Sequence, residues 1–239
     1  MIIIHTINKE RVKQFYEETK AVWPKDDLWH SVNQYEIKKA VHDLRIPYNS
    51  KILNAGSGGS TYGLTHDMYH LDIVANKNVN LRNFTLGSVE NIPFNPEFFD
   101  YVICVGSVLN YCDAVQAIQQ FSRVLKTGGI LLLEFECSTS FEFIGTKVYN
   151  KNAALIITRY FNKEHEMWVF SPKYIQSMLI TSGFSIKGKH NYHILSSLDF
   201  HFRRDEQKAA KLAKCDKLFR QIPIIRNHCG NIILVCVKN

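Results

Sequence analysis

Residues 52–60 read Ile-Leu-Asn-Ala-Gly-Ser-Gly-Gly-Ser, an apolar run that stops in a glycine cluster. Such a run reads as a buried strand, and the glycines mark a turn tight enough for backbone to approach a ligand closely. Thr61, Tyr62, Gly63 and Leu64 then point to a helix over about 60–66, whose N-terminus favours negative or polar ligand groups. Gly56, Gly58 and Gly59 are present, but Thr61 stands where a dinucleotide-binding turn wants Gly or Ala for close helix–strand packing. The loop therefore suits a nucleoside-like ligand better than a pyrophosphate-bridged one. Met68-Tyr69-His70-Leu71-Asp72-Ile73 reads as a second short strand ending in a carboxylate. An acid there can accept from both hydroxyls of a ribose, and an ionised acceptor bonds about twice as strongly as a neutral one. The plain alternatives are an ordinary strand-to-helix turn and a solvated aspartate at a loop edge.

The elements needed to hold these groups are legible around them. The chain has 239 residues, 46% hydrophobic, which suits one α/β domain with lids or insertions and no second core. Val12, Phe15, Tyr16, Thr19, Val22 and Trp23 recur at helical spacing between an Asn8 cap and Pro24. Leu28, Val32, Tyr35, Ala40 and Leu44 predict a second helix ending before Pro47. Strands are then expected at 51–55, 68–73, 83–87, 99–105 and 129–136, with a helix over 113–125 capped by Gly128. A hairpin is expected where Leu155–Phe161 and Glu166–Phe170 flank residues 162–165. A helix follows Ser171-Pro172 and closes at Gly183, a strand runs from Phe184 to Leu195, 203–218 reads as helical, and the chain ends in a buried strand at 231–238. Strands alternating with helices imply a mostly parallel, doubly wound sheet that binds ligands at the carboxyl ends of its strands.

Lys plus Arg number 29 and Asp plus Glu 22, a net charge of +7. That excess allows an anionic partner such as RNA but does not demand one, and the richest stretch, Arg203 to Lys217, is interrupted by Asp205, Glu206 and Asp216. The six cysteines show no Cys-x-x-Cys spacing and fall in apolar runs, which predicts reduced core thiols in a cytoplasmic protein. Met1-Ile2-Ile3-Ile4-His5 lacks the basic and long apolar regions of a secretory leader, and no apolar run is long enough for a membrane span. His190 and His193 are close together but lack a third metal ligand, so no metal site is expected.

Four segments in this order resemble the class I methyltransferases that use S-adenosylmethionine: Leu53 to Ser60; Leu71-Asp72; Leu86-Gly87-Ser88-Val89-Glu90-Asn91-Ile92-Pro93-Phe94 with Phe98 to Cys104; and Arg123 to Leu131. The resemblance is strong over about residues 50–135 and looser in the last strands. It implies a seven-stranded Rossmann-like sheet with an antiparallel C-terminal strand, a helical lid (1–48), a cofactor-binding half (49–136), an insert after strand five (137–170) and a substrate-side half (171–239). It further implies that Gly56 and Gly58 pass close to the methionine part of the cofactor and that Asp72 holds the ribose. Ser88 and Val89 would meet the adenine edge, Val105 and Gly106 would lie near the sulfonium, and Asn110 and Tyr111 would border the substrate. The family usually carries an acid at the position of Asn54 and often one at Ser88. With neither charge present, cofactor binding is expected to lean on Asp72 and on aromatic residues of the lid, Tyr16, Trp23 and Trp29. Those aromatics are equally compatible with plain core packing.

Methyl transfer is an in-line displacement from a good leaving group, so alignment and exclusion of water matter most. A base is needed only when the acceptor must lose a proton. His30, His165 and Tyr111 are the candidates for that role: His30 in the helices that would cover the cofactor, His165 at the tip or edge of the insert hairpin. The insert and the 195–230 connection would roof the acceptor or form an interface to a second subunit, as in a homodimer. Their aromatic content suits a small or medium organic acceptor methylated on oxygen, nitrogen or carbon. An RNA or protein methyltransferase, or a non-catalytic member of the fold, stays open.

Overall fold

A computed structural model describes residues 7–19, 26–160 and 163–239. Its centre is a seven-stranded sheet built from β1 (Ile52–Ala55), β2 (Met68–Asp72), β3 (Phe84–Leu86), β4 (Phe99–Cys104), β5 (Leu125–Glu136), β8 (Phe184–Tyr192) and β9 (Asn231–Lys238), in the order β3-β2-β1-β4-β5-β9-β8. The strands from β3 to β5 run parallel, and β9 pairs antiparallel with both β5 and β8. Strand order reverses between β1 and β4, which opens a crevice at their carboxyl ends. The insert after β5 supplies a separate hairpin, β6 (Ala153–Tyr160) and β7 (Lys163–Phe170).

The central strands are buried on both faces, as their unbroken apolar runs require. On one face α3 (Ala114–Val124) sets Ala117, Ile118, Phe121 and Val124 against Leu53, Val102, Leu131 and Leu133; all eight are fully buried. Asp113 caps this helix through the N–H groups of Val115 and Gln116. On the other face α2 (Leu28–Asp43) buries Ile37 and Val41 against Ile52, Met68, Ile103 and Leu132. Helix α1 (Lys9–Glu18) is capped by Asn8 as its sequence predicts; Val22, Trp23 and Pro24 lie outside the described residues. After β7 come α4 (Pro172–Thr181) and, beyond β8, α5 (Leu195–Arg203).

Four local expectations are corrected. Residues 60–66 form turns, not a helix: Tyr62 and Gly63 both have positive φ, 53° and 76°, which no helix accommodates. Gly128 does not cap α3; β5 begins at Leu125, and residues 126–129 bulge between the Phe99–Leu125 and Tyr101–Ile130 pairs. His165 is not at the hairpin tip but within β7, opposite Thr158. The stretch 203–218 is not one helix, because α5 ends on a left-handed Arg204 and the chain continues as short helical turns from Glu206 to Phe219.

The glycine turn is confirmed where a side chain cannot be accepted. Gly56 has φ +74°, and a Cβ built there would stand 2.3 Å from Val108 Cγ2. Gly56→Ala is expected to destabilise the protein by about 1–3 kcal/mol through the positive φ and the displaced valine. Urea denaturation checks this, and an unchanged midpoint would show that the turn relaxes freely.

Candidate active site

Two loops at the strand-order reversal form the site. The first follows β1. Its Gly58 N–H donates to Asp72 Oδ2 at 2.7 Å, while the N–H of Val74 donates to Oδ1 at 2.9 Å. Asn78, fully buried, accepts from the Ser57 hydroxyl and from Gly59 N–H and donates to the Val74 carbonyl. The glycine loop is thus tied to the loop after β2 by side chains of that second loop. Burial raises the Asp72 pKa, and the backbone N–H groups of Gly58 and Val74 work against that rise.

The second loop, Gly106-Ser107, follows β4. Ser107 sits at φ 60°, its N–H donates to Glu134 Oε2 at 2.7 Å, and its hydroxyl donates to Glu136 Oε1 at 2.9 Å. Glu134 is itself buried and accepts from Tyr192 and Asn231. A carboxylate in that position needs every one of those donors, because an unpaired buried charge is costly.

Between the loops lies a cleft of about 820 Å³, lined in part by Gly56, Gly58, Asp72, Ser88, Val89 and Gly106. Its lining is mostly apolar with a few convergent polar groups, as small-ligand sites are. Helix α1 closes it from above with Lys9, Val12 and Tyr16. Polar ties hold the helix down: Lys9 is ion-paired with Glu90, Lys77 Nζ donates to the carbonyls of Tyr16 and Thr19, and Asn76 donates to the Glu17 carbonyl at 2.9 Å. Glu90 also accepts from Asp113 N–H at 2.6 Å and from the Ser88 hydroxyl at 3.3 Å.

A second cavity of about 950 Å³ adjoins the first and shares Tyr16, Gly106 and Tyr111 with it. It lies under the β6–β7 hairpin, with α2 and α5 contributing Trp29, His30 and Phe200. At the junction the Tyr111 hydroxyl and His165 Nε2 are 2.7 Å apart, and the rings of Tyr16 and Tyr111 meet edge to face at 5.8 Å. Burial pushes Tyr16 up to about 12, against a hydrogen bond with Tyr111 that lowers it. Burial lowers the pKa of His165 below its ordinary 6.5, which keeps the ring neutral at pH 7.

The residues singled out from sequence divide accordingly. Gly56, Gly58, Asp72, Ser88, Val89, Gly106 and Tyr16 all line the first cleft. Asn54 does not: it is fully buried behind the loop, donating to the Ser60 carbonyl at 2.8 Å and accepting from the Tyr62 hydroxyl at 3.2 Å. An amide both gives and takes in those two bonds, a pairing a carboxylate could not make at neutral pH. Val105 packs into the core beside Ile103 and Leu132, and only its neighbour Gly106 reaches the cleft. Trp29 stacks on the buried His193 at 3.9 Å and lines the second cavity instead of the first. Asn110 braces strands, donating to the Trp168 carbonyl and accepting from Glu136 N–H. His30 and His165 both line the second cavity, and His30 Nδ1 lies 2.6 Å from Asp27 Oδ2. Hydrogen bonds from His30 carry Asp27 down to about 2 despite burial, which acts the other way. Among the described residues no group of three potential metal ligands forms, and His190 and His193 bond instead to Glu36 and to Asn33 and Ser196. The cysteines described are free.

Sequence reasoning gave no role to Glu90, Lys9 or Asn78, nor to Glu136, Glu142 and Glu206 of the second cavity. Glu136 had a signal, since it ends a central strand on the side where ligands sit. Lys9 and Asn78 had none, because their importance depends on loops meeting in space.

The cleft's chemistry fits S-adenosylmethionine: a glycine cradle that a Cβ would fill, a buried acceptor for a sugar, and an apolar slot at Gly87 to Val89. A methyltransferase-domain family profile matches residues 48–133. The demethylmenaquinone methyltransferase of Staphylococcus haemolyticus (strain JCSC1435) is 25% identical over 143 residues, 52% of this chain and 60% of that protein's length. Among solved structures, the [4+2]-cyclase SpnF superposes with a TM-score of 0.62 at 14% identity, covering 98% of this chain and 97% of its own. The 1,6-didemethyltoxoflavin-N1-methyltransferase of Burkholderia thailandensis, with bound 1,6-didemethyltoxoflavin and S-adenosylhomocysteine, superposes with a TM-score of 0.59 at 11% identity, covering 97% of this chain and 87% of its own. Those two likenesses speak for the fold, and one of them carries a different chemistry. The profile match is the more specific: residues 48–133, which hold the glycine loop, Asp72, the Ser88 segment and the Gly106 loop, match a methyltransferase domain, and S-adenosylmethionine is the cofactor such a domain implies.

Proposed function

We propose that this protein transfers a methyl group from S-adenosylmethionine to a small or medium organic acceptor held in the second cavity. One observation carries the reading: a cleft suited to the cofactor adjoins a second cavity, and Tyr16, Gly106 and Tyr111 line both, so the methyl group would cross between them at this doorway. Bound in the first cleft, the cofactor supplies an electrophilic methyl carbon on a sulfonium. Asp72 would take the ribose hydroxyls, and the backbone of Gly56 and Gly58 would flank the methionine part. Gly87, Ser88 and Val89 would face the adenine. Helix α1 excludes water from above, which favours a displacement between two desolvated partners.

The Tyr111–His165 pair stands at the doorway. Where the acceptor carries a proton that must leave, that proton would pass to His165 Nε2, directly or through the Tyr111 hydroxyl. His30, oriented by Asp27, faces the same cavity and is the second candidate. No helix among the described residues is long and apolar enough to cross a membrane.

Two outcomes test the reading. Asp72→Asn should weaken S-adenosylhomocysteine binding by about ten- to a hundredfold in calorimetry, the difference between a charged and a neutral acceptor in a buried site. An unchanged affinity would place the nucleoside elsewhere. His165→Gln should lower turnover by about a hundredfold or more if the histidine is the base, with S-adenosylhomocysteine affinity unchanged. The wild-type rate, followed with labelled S-adenosylmethionine, should fall in acid as His165 takes up a proton. Because burial lowers its pKa, that fall should begin below the range of a free histidine. A rate that stays flat below that range as well, with wild-type turnover in the variant, would reject His165.

A further inference from the structure

The second cavity has a charge character that its neighbour lacks. Glu136, Glu142 and Glu206 line it together with the rings of Trp29, Phe143 and Phe200. Among the described residues, the carboxylates of Glu142 and Glu206 make no hydrogen bond and no ion pair, although both face the enclosed space. Glu136 accepts one hydrogen bond, from the Ser107 hydroxyl at the doorway. Burial pushes Glu136 up to about 8 and Glu142 up to about 7, and the neighbouring acids add to both: Glu134, Glu142 and Glu206 act on Glu136, and Glu206 acts on Glu142. Carboxylates crowded in this way disfavour one another's ionisation, and a cation placed among them removes that cost.

The local cations do not fill this role. Arg159 lines the cavity with a side chain 68% exposed and pairs outward with Glu164 at 2.9 Å. His30 is tethered to Asp27. Arg204, whose charge lowers the pKa of Glu142, is exposed and is not part of the lining. The aromatic faces are themselves suited to a positive group, which ring quadrupoles attract within about 6 Å.

We propose that the second cavity is an acceptor site for an amine or ammonium group, held by Glu142 and Glu206 against the rings of Trp29, Phe143 and Phe200, with Glu136 at the doorway. The proposal rests on the methyl-transfer reading and narrows its acceptor to nitrogen. An ammonium that passes one proton, to His165 or to a carboxylate of this set, becomes a neutral amine whose lone pair is free to bond to carbon. Neutral alcohols and enols gain less from three acids than a cation does, and an anionic acceptor, RNA among them, would be disfavoured wherever the acids are ionised.

The test is calorimetry on the protein loaded with S-adenosylhomocysteine, using choline as probe cation and dimethylbutanol as its uncharged carbon isostere. Choline should bind about tenfold or more tighter than the isostere, as desolvated cation–π and carboxylate contacts require. Glu142→Gln combined with Glu206→Gln should abolish that preference and leave S-adenosylhomocysteine affinity as it was. Equal binding of the two probes, binding of neither, or a preference that survives the double substitution would overturn the assignment. Wild-type protein that takes up no S-adenosylhomocysteine would overturn the methyl-transfer reading itself, and this inference with it.

Discussion

The hydrogen bond from Gly58 N–H to the Asp72 carboxylate is the contact on which the rest of the cleft depends. It joins the loop after β1 to the end of β2 across the point where a ligand must enter. Its two oxygens take the N–H groups of Gly58 and Val74. The same bonds offset the cost of burying the carboxylate and hold its orientation. Glu134 repeats the arrangement at β5, where it fixes the Ser107 turn. Two buried acids thus fix each loop to the strand beside it, and the sheet, with its reversed strand order, supplies the gap between them.

Closure comes from elements outside the sheet. Helix α1 has little apolar surface to bury, only Val12 and Phe15 being core residues, and it is held over the cleft by Lys9, Lys77 and Asn76. Such polar ties are individually worth little at a surface, which suits a cover that must open for ligand exchange. The β6–β7 hairpin roofs the other cavity and brings His165 to Tyr111 across 54 residues of sequence. The second cavity is therefore lined largely by peripheral elements, while the first cleft is built from the strand ends of the core.

Much of the sheet was legible because its strands are apolar runs bounded by Gly, Asn and Asp, and such runs fold the same way in many contexts. The glycine turn, Asp72, Ser88 and Gly106 were legible for a related reason: each sits at a strand end, where the local chain fixes its place. Asn54 and Val105 lie outside the first cleft, buried beneath it. Each stands next to residues that do line the cleft or are core, and spacing alone cannot say which member of a short segment meets the ligand. The helix expected after the glycines failed because Tyr62 is drawn to Asn54, a tertiary contact that overrides local preference.

The sequence by itself determined the fold class and most of the strand-end residues that line the first cleft, since these follow from short segments whose geometry is local. Only the tertiary structure decided what lines the second cavity. Trp29 moved to the second cavity, Glu142 and Glu206 joined it from the insert and the C-terminal turns, and Lys9 met Glu90. Those residues lie far apart along the chain, and nothing in their local sequence encodes the meeting. It is set by how the lid, the hairpin and the last helices pack on the sheet, and packing of distant segments leaves no periodic trace in a single sequence.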